Sequence, residues 1–181
     1  MPSPYSESMT TQRAKESVWE YPRPPRVEPL DRHVGVVLGG ETIAESDRAL
    51  RVLETSSPPT VYVPREDVRT DLLSDAEGVH TECEWKGTAS YVHAEAGGKR
   101  AQRVAWYYPE PKQGYEQLAG HLAFYPQPIT GSSSLRSKDP RIYAAYLDDE
   151  LVTPQPGAYY GGWITEEIEG PFKGDPGSEG W

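Results

Sequence analysis

"VGVVLGGETIAES", residues 34–46, is the stretch that decides the fold. An apolar run meets Gly39-Gly40, and a second short run follows at once. Two successive glycines accept positive φ at both central positions of a tight turn, so the flanking runs read as an antiparallel hairpin. The same grammar recurs downstream. "TASYVHAEA" (88–96) and "AQRVAWYYP" (101–109) flank "GGKR", and "IYAAYLDDELVTP" (142–154) turns at Asp148-Asp149. Period-two alternation places Ala89, Tyr91 and His93 on one face of their strand, and Val104, Trp106 and Tyr108 on one face of the next.

Shorter strands fill the intervals. "RALRVLE" (48–54) reads as a strand because a hairpin precedes it and Pro58-Pro59 follow. "TVYVPREDV" (60–68) gives a strand over 60–63, a stop at Pro64 and a helical turn through Glu66 and Asp67. "LLSDAEG" (72–78) is expected to turn the chain. "YEQLAG" reads as one helical turn and "HLAFY" as a strand. Proline and glycine together number 35 of 181 residues. That density opposes long helices and favours short strands joined by many turns. The expected fold class is therefore all-β with minor helical turns, a compact sheet or sandwich in one domain.

The expected domain spans residues 16–181. It carries a low-complexity loop at 129–141 and a C-terminal tail, "GAYYGGWITEEIEGPFKGDPGSEGW", that wraps the sheet. Residues 1–15 are polar and unpatterned, which reads as a disordered N-terminal arm. The prolines of "VWEYPRPPRVEP" (18–29) force an extended path. Trp19 and Tyr21 would pin that path across the domain, or present it to a partner's aromatic groove.

Composition excludes several function classes. The net charge is −10, and no basic stripe appears, so no nucleic-acid partner is expected. No apolar run approaches the length of a membrane span. The N-terminus lacks the apolar core of a signal peptide. One cysteine, Cys83, precludes an intrachain disulfide and suits a reducing compartment, so the expected location is cytoplasmic. Twelve tyrosines and five tryptophans against two phenylalanines give aromatic bulk with polar handles, suited to half-buried ligand-facing walls. A homo-oligomer is compatible with the sequence and is not specified by it.

Several linked segments carry a resemblance. "ESVWEYPRPPRVEP", "GGETIAESDRALRVLETSSPPTVYVPREDV", Cys83 with the following "KGTASY", "VAWYYPEP" and "GHLAFY" resemble, in order and spacing, the family numbered 427 among the domains of unknown function. The likeness covers residues 16–125 and continues through "YYGGWITEEIEGPFKG". It implies a β-fold similar to the Mss-four-like group, and no established reaction. Where that family often has proline and tyrosine after the cysteine, this chain has Glu84 and Trp85.

Cys83 and Lys86 are the first chemical candidates. On a straight strand, an offset of three puts them on opposite faces, so they meet only if the chain turns at 85–87, as Gly87 permits. Glu82 and Glu84 flank the thiol and favour a slow, packed cysteine over a catalytic thiolate. Lys86 in an aromatic pocket would bind an anion or serve as base or Schiff-base amine; otherwise it is a solvated turn lysine. Tyr91, Trp106, Tyr108 and Tyr125 would form a flat aromatic wall for a planar ligand, or simply core. Arg65, at a strand-to-turn junction, offers a fork for a carboxylate or phosphate, or an ion pair with Glu66 or Asp67. Glu110, just past a strand end, is a candidate acid or base. His80, Cys83 and His93 match no closed metal site, so no metal is expected. No phosphate loop or nucleophile elbow is present, and no cofactor is expected.

The leading expectation is a domain that binds a small polar or anionic molecule in an aromatic-walled pocket. The alternatives are an interaction module built on the proline-rich arm and tail, and a thiol-dependent enzyme using Cys83.

Overall fold

The computed structural model describes residues 13–127, 129–130, 139–157 and 160–181. Gly39 and Gly40 do take positive φ, 58° and 84°, and join strands Val34–Leu38 and Glu41–Ser46. Gly97 and Gly98 repeat the device between Gly87–Ala96 and Lys99–Tyr107. The two turns abut: a Cβ on Gly97 would collide with the Gly39 carbonyl, and one on Gly39 with the Ala96 carbonyl. The Glu41 carboxylate accepts the Gly97 N–H at 3.0 Å.

The strands form two main sheets. In the larger, neighbouring strands run in the order Arg26–Pro29, Leu50–Glu54, Ser57–Pro64, His121–Phe124, Lys99–Tyr107, Gly87–Ala96 and Leu73–Cys83. All of these pairings are antiparallel. The smaller sheet has the order Glu150–Leu151, Tyr143–Leu147, Val34–Leu38, Glu41–Ser46. The described helices are 3-10 turns of three residues each. The chain is all-β. No helix among the described residues is long and apolar enough to cross a membrane.

Alternation assigns the two faces of the larger sheet. Val61, Val63, Leu122 and Phe124 point to the core shared with Val34, Val36 and Leu38 of the smaller sheet. Their chain neighbours Tyr62 and Ala123 lie in a second apolar cluster with Trp106, Tyr108 and Tyr125. Residues one position apart point to opposite faces, so this second cluster covers the sheet's outer side.

Three local expectations need correction. Residues 72–78 do not turn the chain but enter the 11-residue strand Leu73–Cys83. Its polar side chains are tolerated because it is the sheet's edge, and its register shifts between Asp75 and His80. Val104 does not share a face with Trp106 and Tyr108. Arg103 takes φ 48°, the pairing shifts between Val92 and Ala94, and Val104 packs in the main core. The loop expected over 129–141 begins as strand Ile129–Thr130, paired with Lys99–Tyr107; residues 131–138 lie outside the described residues.

Of the arm expected over 1–15, residues 1–12 likewise lie outside the described residues. Arg13 donates to the Asp31 carbonyl and Lys15 to the Glu166 carbonyl. The proline-rich segment is packed inward: Tyr21 is buried, and the Tyr115 hydroxyl donates to the Pro25 carbonyl at 2.7 Å. The tail returns along the sheet. Thr153–Pro154 pairs with Trp163–Ile164, the buried Trp163 indole donates to the Phe124 carbonyl at 2.8 Å, and Ile168–Glu169 runs parallel to Glu16–Ser17.

Candidate functional site

The outer face of the larger sheet holds a cleft of about 410 Å³. Its floor follows from the alternation described above. Tyr62 is almost wholly buried, and the Trp106 indole N–H donates to its hydroxyl at 3.3 Å. The Tyr108 side chain lies in the same buried cluster as Tyr62. Burial pushes both phenols up, so they stay neutral donors at physiological pH. Trp106 nests against Tyr125 with centroids 4.7 Å apart and planes at 56°. It also meets Tyr62 edge-on at 6.2 Å.

One end of the cleft is the hairpin turn between Leu73–Cys83 and Gly87–Ala96. Cys83 pairs with Gly87 across that turn, and Gly87 adopts φ 118°, a conformation that L side chains rarely take. The reversal lifts Lys86 back over the sheet, where its ammonium donates to the Cys83 sulfur at 3.8 Å. Burial alone would push the Lys86 ammonium down. The surrounding Tyr62, Cys83, Glu54 and Tyr115 groups outweigh it and hold the pKa above its ordinary value. Lys86 is therefore a cation, and its amine is not free for nucleophilic attack. Of the two carboxylates flanking the thiol, Glu82 accepts the Thr88 hydroxyl and Glu84 is exposed.

The tail forms the other end. The Gly162 N–H donates to the Gln155 amide oxygen at 3.0 Å, and the Gln155 amide nitrogen donates to the Lys173 carbonyl at 2.8 Å. Gly161 lies flat on the aromatics, and a Cβ there would collide with the Trp106 ring edge. The Lys173 ammonium stands 5.8 Å from the Tyr160 ring centroid.

Residues 26–134 match a family model described as Domain of unknown function (DUF427). That is more than half of the chain. The chain belongs to this family. No curated protein matches it. The DUF427 segment contributes the cleft's floor and its Lys86 end, whereas Gln155, Tyr160, Gly161 and Lys173 come from beyond it.

Lys86, Tyr91, Trp106, Tyr108, Tyr125 and Cys83 all line this one cleft. Arg65 and Glu110 do not. Arg65 is exposed, with its guanidinium 5.0 Å from the Tyr107 ring centroid. Of the two ion-pair partners suggested for it, Asp67 is taken by Arg48, and Arg65 forms no ion pair with Glu66. Glu110 lies on the surface after its strand has ended. His80 and His93 hydrogen-bond separately, with Ser90 and with the Arg103 N–H. The described residues hold no group of three or more His, Cys, Asp or Glu placed for a metal. Sequence reasoning missed Tyr62, Glu54, Gln155 and Lys173. Only Gly161-Gly162 before Trp163 signalled that the tail backbone approaches something closely.

Proposed function

We propose that this DUF427 domain is a cytoplasmic binding protein for a small polar or anionic molecule held over the aromatic face, with Lys86 pairing the anionic group. What carries this function is the face itself. The solvent side of an antiparallel sheet ordinarily carries polar residues, yet here it bears Tyr62, Tyr91, Trp106, Tyr108 and Tyr125 around a cleft. Lys86 sits among them with no ion-pair partner among the described residues. A cation beside aromatic walls and neutral phenol donors suits a ligand that offers a flat body and an acidic group.

A thermal-shift survey of metabolite anions tests it. A ligand at about 100-fold its Kd stabilises by roughly 2.7 kcal/mol, a rise of about 5–11 °C for a chain of this size. Lys86→Met, which keeps the apolar stem, should retain the fold and abolish that rise. Ligands that shift both proteins equally, or an anion set that shifts neither, would refute the function.

One observation favours chemistry at Cys83 instead: its sulfur faces the cleft with the Lys86 ammonium 3.8 Å away. Cys83→Ser separates the two functions, because it should leave binding intact while removing any turnover.

A further inference from the structure

We infer that the ligand carries an acidic group at each end of a flat middle, Lys86 pairing one and Lys173 the other. This rests on the binding function proposed above and extends it to the tail. Both lysines line the same cleft, and neither forms an ion pair with a described residue. Most of the partly buried cations elsewhere do: Arg32 contacts three carboxylates and Arg51 two. In a chain of net charge −10, two unpaired ammonium groups in one concavity locally reverse a field that would otherwise repel anions. The cleft's own carboxylates, Glu54 and Glu82, form no ion pair with either lysine, although Glu54 lies near enough to favour the Lys86 charge. Glu54 lies 3.7 Å from the Arg23 guanidinium, and Glu82 is engaged by Thr88.

The two cations stand at opposite ends. The Lys173 N–H donates to the Ser56 carbonyl at 2.7 Å, which fixes that residue beside the start of strand Ser57–Pro64. Lys86 comes from the far end of the same strand. Register across the sheet sets Ser90 beside Tyr107 and, through His121–Phe124, brings Tyr107 level with Val63. The Lys86 turn lies further along in the same direction. Pro58, Thr60 and Tyr62 share the cleft face, and four positions of extended chain span about 13 Å. With an ammonium group at each end, a span of that length holds one ring with an acid on either side. The Trp106–Tyr125 pair lines the same cleft, and the cleft volume suits a molecule of this size. The ligand class is thus a ring-bearing diacid.

Isothermal titration with benzoate and with benzene-1,4-dicarboxylate tests this, with circular dichroism verifying the fold of each variant. The dicarboxylate should bind about tenfold tighter than benzoate, the expected effect of one additional charge-assisted contact. Lys173→Met should erase that advantage, bringing the dicarboxylate to the affinity of benzoate, while Lys86→Met should weaken both. Equal affinity for the two acids, or a preference that survives Lys173→Met, overturns the two-ended ligand. If benzoate binding is still lost in Lys86→Met, the single-anion function stands without it. Binding of neither acid by the wild-type protein overturns the diacid class, whatever the metabolite survey returns.

Discussion

Replacing Arg32 with methionine should cost about 3 kcal/mol. The Arg32 side chain is only 8% exposed and meets Glu167, itself 10% exposed, at 2.8 Å. It also reaches Asp148 at 2.8 Å, Glu150 at 3.3 Å and the Leu147 carbonyl at 3.0 Å. Removing one partner of a buried pair costs about 3–5 kcal/mol, because the remaining charge stays desolvated. Asp148 and Glu150 are 46% and 33% exposed; such pairs are worth well under about 1 kcal/mol each, so the low end of the range applies. For a chain of this length, about 3 kcal/mol lowers Tm by roughly 6–12 °C. Urea denaturation should move the midpoint without changing the slope. Acid reveals the mechanism. Burial would raise the Asp148 carboxyl, but hydrogen bonds from Arg32 and the His33 N–H outweigh it and hold it below the usual range. A carboxyl depressed in the folded state stabilises above its unfolded pKa near 3.9 and ceases to do so as pH falls through the folded value. The gap between wild type and variant should therefore narrow below about pH 4. Adding Glu167→Gln to Arg32→Met should recover part of the loss. A single variant within about 1 kcal/mol of wild type at neutral pH would refute the reasoning.

Gly97→Ala should destabilise by about 1–3 kcal/mol, since its Cβ meets the Gly39 carbonyl. Gly98→Ala, which points into open space, should cost less; equal denaturation midpoints would contradict the interlocked turns. His33 bonds Asp47 at 2.6 Å and Glu45 at 2.9 Å, and these hydrogen bonds raise its pKa. Its stabilising contribution should be complete below about pH 6.5 and disappear as pH climbs through the raised value. His33→Asn should flatten that part of the stability–pH curve, and an unchanged curve would count against the clasp. Gly161→Val should alter the near-UV circular dichroism of Trp106 and weaken ligand binding; a variant with wild-type spectrum and affinity would show that the tail does not close on the indole.

Much of the scaffold was legible because turn chemistry is local. Gly39-Gly40, Gly97-Gly98 and Asp148 (φ 54°) mark reversals that depend on a few residues each, and alternation between them assigns most faces. Strand Leu73–Cys83 escaped notice because its mostly polar sequence offers only Val79 and Thr81 as β-formers, and it becomes a strand by pairing with Gly87–Ala96. The Cys83–Lys86 contact depended on whether the chain turns at Gly87, an alternative that spacing left open. Tyr91, Trp106, Tyr108 and Tyr125 were visible as an aromatic set on neighbouring strands. Tyr62 was hidden between Val61 and Val63, where a valine-rich run looks buried on both sides. Lys173 and Gln155 reach the cleft through tail contacts that no local pattern encodes.

The pairing of Glu16–Ser17 with Ile168–Glu169 bears on how the molecule comes into being. Trp19, which donates to the Pro171 carbonyl, and that proline are 152 positions apart. A growing chain emerges at about 5–20 residues per second, so the early hairpins have seconds to form before their final partner exists. The cleft's Lys173 wall arrives last, with the strand that joins the two ends. Until then the aromatic face is uncovered, and contacts at such separation close slowly. A nascent chain stalled short of Gln155 would present Trp106 and Tyr125 to chaperones and to its neighbours on the same polysome.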